Sequence, residues 1–137
     1  MFSSENVLQQ TGNMRFIECY LMKEGHVAAS PVFRDLAPGE IVPVCMWIES
    51  IGQCGEICCR NHLRYSGPVL LIRYSNIRLP GLRKEESSAI SYSAHIQEVA
   101  WPYVTSEVSV SNRGRELFRC AYVYYFSGGK KRKKWNG

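Results

Sequence analysis

The strictest constraint on how this chain can fold is the alternation in its second half. From Ala89 to Gln97, the residues Ile90, Tyr92, Ala94 and Ile96 take turns with Ser91, Ser93, His95 and Gln97. Val104 to Ser111 repeats the pattern, with Val104, Val108 and Val110 set against Thr105, Glu107, Ser109 and Ser111. Leu117 to Phe126 returns with Phe118, Cys120, Tyr122, Tyr124 and Phe126 on one side. Only an extended backbone sends successive side chains to opposite faces, so each run predicts a strand with one buried and one wet face. Trp101-Pro102 breaks the first pair, and Asn112-Arg113-Gly114-Arg115 has the chemistry of a hairpin loop. Period-two tyrosines in such a strand are core residues, which places Tyr122 and Tyr124 inside.

The first half is less regular. Met14 to Met22 reads as a strand with Ile17, Cys19 and Leu21 on its apolar face, followed by a Lys23-Glu24-Gly25 turn. His26 to Phe33 can return as a second strand, with Pro31 suited to an edge. After the Asp35–Gly39 turn, Ile41 to Ile48 is apolar on both sides and predicts a strand covered on both faces. Gly52 to Gly67 shows no period and is expected to be a loop. Pro68 to Tyr74 reads as a further buried strand, and Ile77 to Leu79 as a short one before Pro80-Gly81. Strand count, turn spacing and the lack of an amphipathic helix predict an all-β protein. The expected fold is an antiparallel β-sandwich or barrel of roughly six to eight short strands, without a readable strand order.

The domain plan follows. Residues 1–13 are expected to be a flexible arm, 14–127 a single β-rich domain, and 128–137 a basic tail. At 137 residues and 45% apolar composition the chain can bury one sizeable core. No apolar run approaches the ~20 residues a membrane-spanning helix needs. Met1 to Asn13 carries no Lys or Arg, which does not fit a secretory signal and predicts an intracellular location.

The loop expected at 52–67 holds Cys54, Cys58, Cys59 and His62, side chains that bind zinc as thiolates and neutral imidazole. The spacing Cys-x3-Cys-Cys-x2-His can close around one zinc ion, although it is not a paired knuckle. If only one of the adjacent cysteines binds, Cys45 is the nearest cysteine to complete the set. A metal-free cysteine-rich loop and a disulfide from Cys54 are the other readings of the same residues. Cys19, Cys45 and Cys120 sit in apolar runs and read as reduced thiols. Cys59 and His62 do not complete a nucleophile–base–orienter set. With no Gly-rich phosphate loop, paired-carboxylate motif or H-E-x-x-H, the expectation is a protein that is not an enzyme.

The net charge of +5 is local. Lys130, Lys131, Arg132, Lys133 and Lys134 supply all of it, and Trp135 follows, while the body is neutral overall. Such a run neutralises phosphates, with Trp135 able to stack on a base, or serves as a nuclear-import signal read by a receptor. In style, a compact β domain with scattered cysteines and a basic end resembles small accessory or structural proteins of viruses. The sequence therefore predicts a small non-enzymatic accessory protein that is nucleic-acid-binding or nuclear-targeted. A self-associating structural protein of viral type (matrix, coat or movement component), a homo-oligomer, is the alternative.

Overall fold

A computed structural model of the protein describes residues 1–8, 14–79 and 81–128. Seven strands, β1 (Phe2–Ser3), β2 (Cys19–Lys23), β3 (His26–Ala29), β4 (Leu70–Ser75), β5 (Ile90–Ala100), β6 (Tyr103–Asn112) and β7 (Arg115–Tyr125), form one sheet. Its spatial order is β1-β2-β3-β5-β6-β7-β4, and every neighbouring pair is antiparallel. A short helix α1 (Glu5–Leu8) follows β1, and a 20-residue helix α2 (Val44–Leu63) lies between β3 and β4. The sheet curls around α2.

This corrects the all-β expectation. The architecture is α+β: one antiparallel sheet packed on one long helix, in place of a sandwich or barrel. The misreading falls on Ile41–Ile48, expected as a strand, and Gly52–Gly67, expected as a loop. Both belong largely to α2, which starts after the N-cap Pro43. Residues Ser50 to Arg60 are all buried. The apolar stripe of α2, Trp47, Ile51, Cys54 and Cys58, is narrow, and buried Gly52, Gly55, Ile57 and Cys59 interrupt the polar side, so the 3.6-residue pattern is blurred. Val44, Ile48, Ile51, Ile57, Gly52 and Gly55 are also poor helix formers in isolation, and tertiary burial overrides them. The helix ends where Arg64 takes a left-handed conformation (φ 51°) and the Tyr65 amide donates back to Arg60 O at 3.0 Å.

The alternating second half does form the centre of the sheet. In the β5–β6 ladder Tyr92 opposes Val110 and Ala94 opposes Val108, and in β6–β7 Val108 opposes Cys120. These inward residues are buried against α2 together with Trp47, Ile51 and Ile57. Two first-half expectations change face. In β2 it is Tyr20 that is buried, while Cys19 and Leu21 are exposed. The stretch expected as a buried strand at 68–74 becomes β4, whose six residues are all exposed at the sheet edge. At the N-terminus, β1 pairs with β2 and Leu8 enters the core, while 9–13 lie outside the described residues. The tail, with Lys130–Trp135, also lies outside them. No helix among the described residues is long and apolar enough to cross a membrane.

Candidate functional site

α2 presents two different flanks to the sheet. One carries Cys54 and Cys58, whose thiols lie 3.8 Å from Val27 O and 3.6 Å from Ala94 O, facing β3 and β5. The other carries Glu49, Gly52, Glu56 and Arg60, spaced three or four residues apart and therefore stacked on one side of the helix. That second flank turns toward β7 and the open β4 edge.

Two tyrosines of β7 bind the helix backbone there. The Tyr122 hydroxyl donates to Ile48 O at 2.6 Å, and the Tyr124 hydroxyl donates to Gly52 O at 2.5 Å. The approach needs glycine at two places. A Cβ on Gly52 would stand 2.8 Å from Tyr122 Cε2, and one on Gly55 would run into the Tyr124 hydroxyl. Tyr74 of β4 lies over Tyr122, with ring centres 5.7 Å apart. Burial pushes both β7 phenols well above their ordinary range, so they act as hydrogen-bond donors that stay protonated.

Glu49 sits half-buried at the N-terminal end of this flank, close enough for its charge to act on Tyr122 and on Glu56. Further along, Arg60 Nε donates to Glu56 Oε2 at 2.8 Å, and Arg60 Nη1 donates to Gly67 O at 2.7 Å. Burial raises the Glu56 carboxyl above its ordinary value of 4.5, against the opposing pull of Arg60. The Glu56–Arg60 pair is committed to tying the end of α2 to the following loop. Glu49 is the less buried of the two carboxylates on this flank. Gln53, four residues after Glu49, is structural: its Oε1 accepts from Phe16 N at 2.7 Å and Ile17 N at 3.3 Å, and its Nε2 donates to Met14 O at 2.6 Å.

The residues singled out from sequence are distributed differently. Cys54, Cys58 and Cys59 are buried inside α2, while His62 is exposed near its end. Burial holds the thiols protonated, with Cys58 pushed up to about 11 and Cys54 and Cys59 higher still. Zinc binds thiolate, so these surroundings disfavour the ligand form. Among the described residues no group of three or more His, Cys, Asp or Glu side chains is arranged to hold a metal ion. Glu49 escaped sequence reasoning because 41–48 read as a strand and 52–67 as a loop. A helical reading of 44–63, with Trp47, Ile51, Cys54 and Cys58 on one stripe, would have set it on the opposite flank. A groove of about 460 Å³ lined by Cys19, Leu21, Ala28, Ser91 and Ser93 lies over β2, β3 and β5, away from Glu49.

No protein-family profile and no curated protein sequence matches this chain. Solved structures do. The dehydratase heterocomplex ApeI:P from Xenorhabdus doucetiae matches with a TM-score of 0.68 at 15% identity, over 92% of this chain and 91% of that one. The HP0420 homologue from Helicobacter felis matches at 0.65 and 12% identity, over 90% and 88%. A mutant thioesterase from Pseudomonas aeruginosa matches at 0.58 and 12% identity, over 80% and 79%. At these identities the shared property is the fold, a sheet wrapped around a central helix, known as the hotdog fold. A body of this fold, shared with a thioesterase and a dehydratase complex, overturns three expectations. These are the nucleic-acid-binding or nuclear-targeted accessory role, the viral-type structural role, and the absence of enzyme activity.

Proposed function

We propose that this chain is a hotdog-fold enzyme that hydrolyses an acyl thioester, with Glu49 as the general base. The observation that carries the reading is the position of Glu49. It is a half-buried carboxylate just ahead of the fully buried Ser50–Arg60 stretch of α2, in a fold shared with a thioesterase. A carboxylate so placed can take a proton from water as the oxygen attacks the thioester carbonyl carbon. The C–S bond then breaks, the sulfur leaves as a thiol with that proton, and a carboxylic acid remains. Water addition needs one base at the carbonyl and no metal ligand set.

The working unit in this reading is a dimer joined through β4. Leu70, Leu71, Ile72 and Tyr74 are each 41–55% exposed on a strand with one unpaired edge. A long apolar edge of this kind invites pairing with another strand. A second copy meeting it antiparallel about a two-fold axis would join two seven-stranded sheets and bring the partner close to the Glu49 flank.

The fold match to a dehydratase heterocomplex supports a second reading, with a condition attached. Dehydration of a hydroxyacyl thioester calls for an acid and a base together. None of the three histidines lies beside Glu49: His26 and His95 are on the outer face of the sheet, and His62 is about 20 Å away along α2. A dehydratase built on this chain would need its second group from a different subunit, as a heterocomplex could provide.

The test is thiol release from a panel of acyl-CoA and acyl-pantetheine thioesters by the purified chain. Hydrolysis that falls at least a hundredfold in Glu49→Gln, with helical content unchanged, supports the reading. An inert wild-type chain across short, long and aromatic acyl groups would sink the hydrolase, and loss of water on adding a second subunit would replace it with the dehydratase.

A further inference from the structure

The outer face of the sheet carries a row of side chains that the proposed reaction does not use. β3 and β5 pair with Val27 opposite Ala94, so His26 and His95 occupy the adjoining position. β5 and β6 pair with His95 opposite Glu107. Val27, Ala94 and Val108 are buried against α2, and the alternation turns His26, His95 and Glu107 outward. The two imidazole ring centres are 5.1 Å apart, and His95 Nε2 lies 3.5 Å from Glu107 Oε1.

We propose that His26 and His95, with Glu107 beside them, form a surface site for a divalent transition metal, Zn²⁺ in the first instance. Zinc holds imidazole nitrogen at about 2.0–2.1 Å, so two rings on one tetrahedral ion have centres roughly 5.2 Å apart. A carboxylate oxygen on the same ion lies about 3.4 Å from a ligating nitrogen. Both separations are already present across three adjacent strands. The tautomer of His26 is also suitable. Its Nδ1 lies 3.2 Å from Glu24 O. A carbonyl only accepts, so Nδ1 carries the proton and Nε2 keeps its lone pair for a metal. The three side chains do not yet converge on one point, and closing the set takes a side-chain adjustment for which the exposure of His26 leaves room. Two cations compete. Arg119 Nη1 lies 3.6 Å from Glu107 Oε1, and Lys23 opposes His26 on β2.

Calorimetric titration of the full chain with ZnCl₂ at neutral pH tests this, on a Cys19→Ser/Cys45→Ser background that removes the exposed thiols. One ion per chain is expected. His26→Gln or His95→Gln should weaken binding roughly tenfold or more and Glu107→Gln severalfold, as loss of a ligand does. Arg119→Ala, which removes the competitor without touching a ligand, should tighten binding. His62→Gln should leave it unchanged. No saturable binding by the parent chain would overturn the proposal. So would stoichiometric binding that survives in the His26→Gln/His95→Gln double variant.

Discussion

Gly52 and Gly55 matter because β7 tyrosines occupy the space a side chain would take. Gly55→Ala forces the Tyr124 hydroxyl off Gly52 O, and should cost about 1–3 kcal/mol in chemical denaturation, the usual range for overpacking a tight contact. Gln53→Ala leaves the Phe16 and Ile17 amides without their acceptor in a buried place, at about 1–3 kcal/mol. Its effect should appear first as faster hydrogen exchange at those two amides. Glu56 carries a pH signature. Its folded carboxyl titrates above 4.5 because burial outweighs Arg60. The native state therefore holds a proton that the unfolded chain has released. That contribution is full below 4.5 and is lost as pH rises through the raised folded value. Glu56→Gln should flatten this part of the stability–pH curve, and an unchanged curve would show that Glu56 is not its source.

The two elements that decide the site are α2 and β4. The four cysteines that α2 and β7 bury, Cys54, Cys58, Cys59 and Cys120, should not react with a thiol reagent in the native protein, whereas Cys19 and Cys45 should react quickly. Unfolding should release the other four thiols, so a native count of six would contradict the placement of α2. Sequence alone made Cys54–His62 a loop because its residues satisfy neither period. Gly52, Gly55, Ile57 and Cys59, buried among Glu49, Gln53, Glu56 and Arg60, blur the polar face by which an isolated surface helix is recognised. β4 failed in the opposite sense. Pro68 to Tyr74 is apolar enough for a core strand, yet it is an exposed edge. Composition records that the surface must be covered and does not say by what. If a second copy covers it, Ile72→Lys should convert the dimer to a monomer in light scattering and leave the chain folded.

For the whole molecule, the proposed dimer and the proposed chemistry are linked. If the site is completed across β4, thiol release per chain should fall as the protein is diluted below the dimer dissociation constant. Activity that stays proportional to chain concentration through the dissociated range would mean that Glu49 works within one subunit. The basic run Lys130–Lys134 supplies the whole net charge, and composition alone therefore points to the tail as the working part. Charge shows where an anion would be attracted, whereas chemistry requires a positioned group, and the proposed one, Glu49, lies in the neutral body.

The amino-acid sequence by itself determined the three central strands, their hairpins and the inward placing of Tyr122 and Tyr124. Each of those follows from period-two alternation and turn residues within about ten positions of one another. Only the tertiary structure decided that 44–63 is a helix, that Cys54, Cys58 and Cys59 are core and that Glu49 is half-buried. Those outcomes depend on a sheet whose strands come from both sides of the helix in the chain. Whether Ile48, Gly52 or Cys58 meets water or a tyrosine is settled by that wrapping, and no local pattern records it.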